Sequence, residues 1–182
     1  MTGEGLPMGG VDDVEGAWKE RYVSMEELSR VLWRERELLD MLLFKLEEEQ
    51  LVLASGRSRW LAYAAREVET VLDSIRQTEV LRATTADAVA ASLGLETNPS
   101  LRALAESADE PWRTILLDHR DAFVAVTAQI TEMATTNREL LTAGYQAARE
   151  TMLSLSDGAE TYTPDGSAVV AGRRNRLVDR SI

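Results

Sequence analysis

Residues 24–56 read SMEELSRVLWRERELLDMLLFKLEEEQLVLASG. Met25, Leu32, Leu39, Leu46 and Leu53 recur every seven residues, with Leu28 and Leu42 on the intermediate positions. Val31, Leu38 and Val52 widen the seam, and Glu35 and Glu49 interrupt it. A repeat near 3.5 residues is a helical face, and this one is broad enough to meet more than one neighbouring helix. Ser24 and Glu27 have the S-x-x-E spacing of a capping box, which predicts the helix start at Ser24. Gly56 predicts its end or a kink.

The next stretch keeps the same character. Leu61, Ala64, Val68, Val71 and Ile75 alternate three- and four-residue steps, so a second helix is expected from about Arg59 to Arg82. A short break between two long helices makes an antiparallel hairpin. Residues 84–108 are read as an insert of two short helical pieces, with Gly94 just past the first and Asn98-Pro99 opening the second. Asp109 is a plausible N-cap and Pro111 fits a first turn. From there to Pro164 no proline intervenes, and Leu116, Phe123, Val126, Ile130, Met133, Asn137, Leu140, Gly144 and Ala147 hold the helical step. A helix from about Glu110 to Ser156, stopped at Asp157-Gly158, would be roughly 70 Å long at ~1.5 Å per residue.

The expectation is an all-α fold: an elongated antiparallel bundle of three long, coiled-coil-like helices with a short helical insert. It divides the chain into a flexible N-terminal segment (1–23), a helical domain (24–156) and a flexible tail (157–182). Composition agrees. The 182 residues are 45% hydrophobic but only 5% aromatic, so the interior is built from Leu, Val, Ala, Ile and Met. The formal net charge of −11 disfavours nucleic acid and anionic membrane surfaces as partners. The absence of cysteine removes disulfides, thiolate metal sites and thiol nucleophiles. No secretory leader and no apolar run long enough to span a bilayer is evident, which points to a soluble cytoplasmic protein without stable membrane insertion.

Chemistry finds little support. The one histidine, His119, sits at a seam position and reads as a packing residue. No phosphate-cradling glycine loop, nucleophile elbow or metal-spaced set of side chains occurs. The sequence therefore implies no enzyme, cofactor or metal. Thr85–Leu104 has the cadence of a helix-turn-helix, yet offers phosphates only Arg102, with Asp87, Glu96, Glu106, Asp109 and Glu110 around it.

The end of the last helix is different. Leu141, Tyr145, Ala148, Met152 and Leu155 form a second apolar stripe beside Leu140, Gly144 and Ala147. Small residues allow a partner helix to approach closely, and methionine adapts to varied partners. The stripe suits either ordinary core or a groove for an amphipathic helix. Beyond it lies Tyr162-Thr-Pro-Asp-Gly166, a turn signal next to an amphipathic ring.

The layout resembles the FlgN family of flagellar export chaperones over roughly residues 25–170. The resemblance rests on the long first helix and on AAREVETVLDSIRQTEVLRA (Ala64–Ala83). It rests also on NRELL (Asn137–Leu141) and the tyrosine string at Tyr162, where Thr163 replaces the usual glycine. It implies a cytosolic chaperone without cofactor that binds the C-terminal helices of hook–filament junction proteins, the late export clients, and prevents their premature assembly. It places client binding at Asn137, Leu141, Gly144, Tyr145, Ala148, Met152, Leu155 and Tyr162, and makes Tyr162 the place for a contact with the export gate. The arginine-rich C-terminus has no role in that pattern. The residues alone also admit a coiled-coil scaffold or adaptor without an export role, or an acidic helix-turn-helix regulator.

Overall fold

The computed structural model describes residues 11–159, among which every regular element is helical. The elements are α1 (Val11–Ala54), a 3-10 turn (Ser58–Trp60), α2 (Leu61–Leu93), α3 (Leu101–Ser107) and α4 (Trp112–Ala159). The chain divides into two compact units, residues 1–138 and 139–182. α4 contributes Trp112–Arg138 to the first and Glu139–Ala159 to the second.

In the first unit, Lys45 pairs with Glu67 and Glu35 with Arg82, so α1 and α2 run antiparallel. Tyr22 meets Trp112, Trp33 meets His119, and Leu46 meets Asn137, so α4 runs parallel to α1. The seven-residue seam becomes two apolar clusters. Met25, Leu28 and Leu32 join Ala86, Val89 and Ala90 of α2, Leu104 and Ala105 of α3, and Leu116 of α4. Leu38, Leu39, Leu42 and Leu46 join Val71, Ile75 and Val126. Each fully buried leucine contributes about 1.5–3 kcal/mol from transfer out of water.

Between the clusters the interior is polar. Glu35, which interrupts the seam, is buried with Arg82 Nε 2.9 Å from its Oε2, an ion pair without hydrogen-bond alignment. Burial raises the pKa of Glu35, helped by nearby Glu79 and opposed by Arg82. His119 is buried edge-on to Trp33, with ring centroids 5.0 Å apart, and lies against Phe123. Neither ring nitrogen has a hydrogen-bond partner. Burial lowers its pKa, the charge of Arg36 lowers it further, and Asp118 works in the other direction.

Several helix boundaries differ from the sequence expectation. α1 starts at Val11, not Ser24, and the Ser24 hydroxyl donates 2.9 Å to the carbonyl of Glu20 instead of capping. The glycines that suggested a loose segment are Gly3, Gly5, Gly9 and Gly10, outside the described residues; only Gly16 lies in the helix. α2 does not stop at Arg82 but continues to Leu93, absorbing the first expected piece of the insert. Thr84 and Thr85 send their hydroxyls back to the carbonyls of Leu81 and Arg82, which keeps these β-branched residues within a helix. Gly94 does end it, at φ 71°, with Leu95 N–H bonded to Ala90 O and Gly94 N–H to Ala91 O. That paired closure requires a left-handed residue, which glycine adopts without strain.

α3 is capped by Ser100, whose hydroxyl accepts from Ala103 N–H at 3.1 Å, one residue beyond the Asn98-Pro99 start. At the head of α4 the side chain meeting the first-turn amides is Glu110, which accepts from Thr114, while Asp109 contributes its backbone carbonyl to Arg113. The far end of α4 passes through Asp157-Gly158 to Ala159. A helical glycine costs about 1 kcal/mol relative to alanine, which weakens a helix without forbidding it.

Candidate functional site

The apolar stripe lies in the second unit, on the Glu139–Ala159 portion of α4. Every residue from Leu141 to Ser156 is exposed. Leu141 is 41% accessible, Tyr145 71%, Met152 72% and Leu155 68%. Exposed apolar rows are a common form of interaction surface, and this row is the candidate site. At about 100° per residue, Leu141, Gly144, Tyr145, Ala148, Met152 and Leu155 fall on one face of the helix, while Glu139, Gln146 and Glu150 fall opposite.

The small residues open this face. A Cβ placed on Gly144 would meet nothing within 4 Å. The hydroxyls of Thr151, Ser154 and Ser156 donate to carbonyls of their own helix, at Ala147, Thr151 and Leu153. Their donor capacity is thus used locally, and the surface offers shape and apolar area rather than directional polar groups. Leu153, also exposed, lies off the stripe, and the sequence reading did not single it out.

Asn137 stands apart from the other expected residues. It belongs to the first unit and is 3% accessible. Its Nδ2 donates to Leu46 O at 2.9 Å and to Glu49 Oε2 at 3.0 Å, tying α4 to α1, while its Oδ1 is buried without a hydrogen-bond partner. The signal for this lay in Glu49, a carboxylate on the apolar seam, which needs a donor opposite it. Tyr162 lies outside the described residues.

The other expectations fall in the first unit. Val89, Ala90 and Leu104 of the helix-turn-helix-like stretch are buried in the core, and α3 has only seven residues. No described helix is long and apolar enough to cross a membrane. Among the described residues no group of three or more His, Asp or Glu side chains is placed to hold a metal ion.

A family model described as FlgN protein matches residues 24–169 of the chain. No curated protein and no solved structure matches.

Proposed function

The chain belongs to the FlgN family of flagellar export chaperones, and from that premise we propose that it binds the C-terminal helices of hook–filament junction proteins in the cytoplasm before their export. It acts by covering a surface, with no bond made or broken. The observation that carries this reading is the exposed apolar row at Leu141, Tyr145, Met152 and Leu155, opened by Gly144 and Ala148. A client's amphipathic helix laid along it hides the surface that would otherwise drive premature assembly.

The energetics suit a transient holder. Burying four such side chains offers about 6–12 kcal/mol, against an association cost of ~4–15 kcal/mol, so this face alone gives reversible binding. Reversibility is what a chaperone that must surrender its client requires. Asn137 enters this reading through the packing of α4 on α1 rather than as a client contact. Tyr162 is proposed to complete the contact surface or to meet the export gate.

Calorimetric titration of the full chain with a peptide spanning the C-terminal helices of a junction protein tests the reading. The double variant Met152→Asp, Leu155→Asp should lose affinity by about a hundredfold or more while keeping the parent's thermal melt, because both side chains are exposed. Unchanged affinity in that variant overturns the assignment of the face.

A further inference from the structure

The hairpin of α1 and α2, in the first unit, turns through a stretch unlike the rest of the chain. Residues 50–66 read QLVLASGRSRWLAYAAR, with Arg57, Arg59 and Arg66 and no acidic residue, in a chain of net charge −11. All three arginines are exposed, and none has a carboxylate partner among the described residues. The Arg59 guanidinium lies 5.2 Å from the centre of the Trp60 ring, and that ring lies 5.7 Å from Tyr63. Arg59, Tyr63 and Arg66 follow at steps of four and three where α2 begins, which brings them to one side of it. Leu51 is 70% accessible, Tyr63 61% and Trp60 45%, and none belongs to either core cluster.

The carboxylates that flank this stretch are engaged elsewhere or set apart. Glu48 and Glu67 share Lys45 Nζ, at 2.7 and 2.6 Å. Glu49 accepts from Asn137, and Glu47 lines a groove against α4. Glu69 comes more than a turn of α2 beyond Tyr63. α1 has 44 residues, about 66 Å at ~1.5 Å each, so charges at its far end lie several screening lengths of about 8 Å away. The hairpin tip is thus a local exception to the charge of the whole.

We propose that the α1–α2 hairpin tip docks on an anionic lipid surface, with Arg57, Arg59 and Arg66 on the headgroups and Leu51, Trp60 and Tyr63 at the boundary with the acyl chains. Indole and phenol rings, apolar with one polar end, favour that boundary, and arginine stems reach from it to the headgroups. A layer of negative headgroups attracts a small basic cluster without a groove to hold it. An acidic polypeptide is oriented by a groove, and the end of a hairpin is convex. The contact stays at the surface, since no described helix is long and apolar enough to cross a membrane. It uses different residues from the apolar row at 141–155, so it is a second contact rather than the client face.

Co-sedimentation of the full chain with vesicles of phosphatidylcholine and phosphatidylglycerol in equal parts tests the proposal. The chain is expected to bind at low salt, to bind less tightly as salt is raised, and not to bind phosphatidylcholine alone. The double variant Arg57→Glu, Arg59→Glu should weaken binding at least about tenfold, with the parent's circular-dichroism melt, because both side chains are exposed. Trp60→Ser should weaken it about threefold or more, and the blue shift of tryptophan emission on binding should vanish with it. No binding to the mixed vesicles, equal binding to the neutral ones, or insensitivity to both tip variants overturns the proposal. So does a loss on Met152→Asp as large as on the charge reversal, which would move the contact to the 141–155 row. Tip-dependent binding of poly-glutamate in place of the vesicles overturns it in favour of an acidic polypeptide.

Discussion

From Trp112 to Arg138, α4 turns Leu116, His119, Val126 and Asn137 into a packed interior. From Glu139 to Ala159 the same helix presents Leu141, Tyr145, Met152 and Leu155 to solvent. In sequence the two stretches are alike, since the three- and four-residue step runs from Leu116 to Leu155. Periodicity identifies which face of a helix is apolar; it does not say what covers that face. The first stretch has its cover in α1, α2 and α3 within the same unit, and the second is the surface proposed to find its cover in a client.

Substitutions in the two stretches should therefore part company. The largest effect on stability is expected from Leu116→Ala. Leu116 is 1% accessible, and emptying such a site costs about 2–5 kcal/mol, read as a lowered urea midpoint. Leu155→Ala should change stability by less than about 0.5 kcal/mol and show its effect in client affinity alone. If Leu155→Ala lowered the urea midpoint as far as Leu116→Ala, the distinction between the stretches would collapse.

The polar layer gives the next effect, through pH. His119 has a folded pKa below its ordinary 6.5 because it is buried and faces Arg36, with Asp118 only partly compensating. As pH falls through 6.5 the unfolded chain takes up the proton first, so stability declines below that pH, at up to ~1.4 kcal/mol per pH unit until the folded ring protonates. Glu35 acts in the opposite sense at lower pH. Burial raises its folded pKa above 4.5, so stability gains as pH falls from that raised value toward 4.5. His119→Phe, which keeps a ring against Trp33 and Phe123, should flatten the decline between pH 7 and 5.5 in urea titrations. A slope that survives this change would place its source elsewhere.

Asn137 tests the border between the stretches. Asn137→Ala removes the hydrogen bonds to Leu46 O and Glu49, at a cost of about 1–2 kcal/mol. Asn137→Leu should cost less, because both changes remove the unpaired Oδ1 but leucine also fills the buried space that alanine leaves empty. Both changes are measured by thermal melts; a client affinity that fell while the melt stayed put would make Asn137 a contact residue after all.

How much was legible follows the same division. The heptads of α1 and the steps of α2 and α4 announced three long helices, because helical amphipathicity repeats within a few residues and is local. Gly94 announced a stop, because a left-handed residue is a local demand. The continuity of α2 through Thr84-Thr85 was not legible, since it depends on where two hydroxyls send their hydrogen bonds and on Ala86, Val89 and Ala90 finding partners in α1, α3 and α4. The start of α1 was misplaced because a capping pattern at Ser24 also fits the middle of a helix whose first turns pack Tyr22 against Trp112.

The site shows the division most plainly. Leu141, Gly144, Tyr145, Ala148, Met152 and Leu155 were legible as one face, and Asn137 was legible as a seam residue. Only the tertiary structure separates them, exposing the six and burying Asn137 against Leu46 and Glu49. The sequence by itself determined the helices, their apolar faces and the charge of the whole, all properties of neighbours along the chain. Which faces are covered, and which carboxylates on the seam find a donor, were decided by the tertiary structure. Those depend on residues as far apart as Glu49 and Asn137, and burial is a property of what lies opposite.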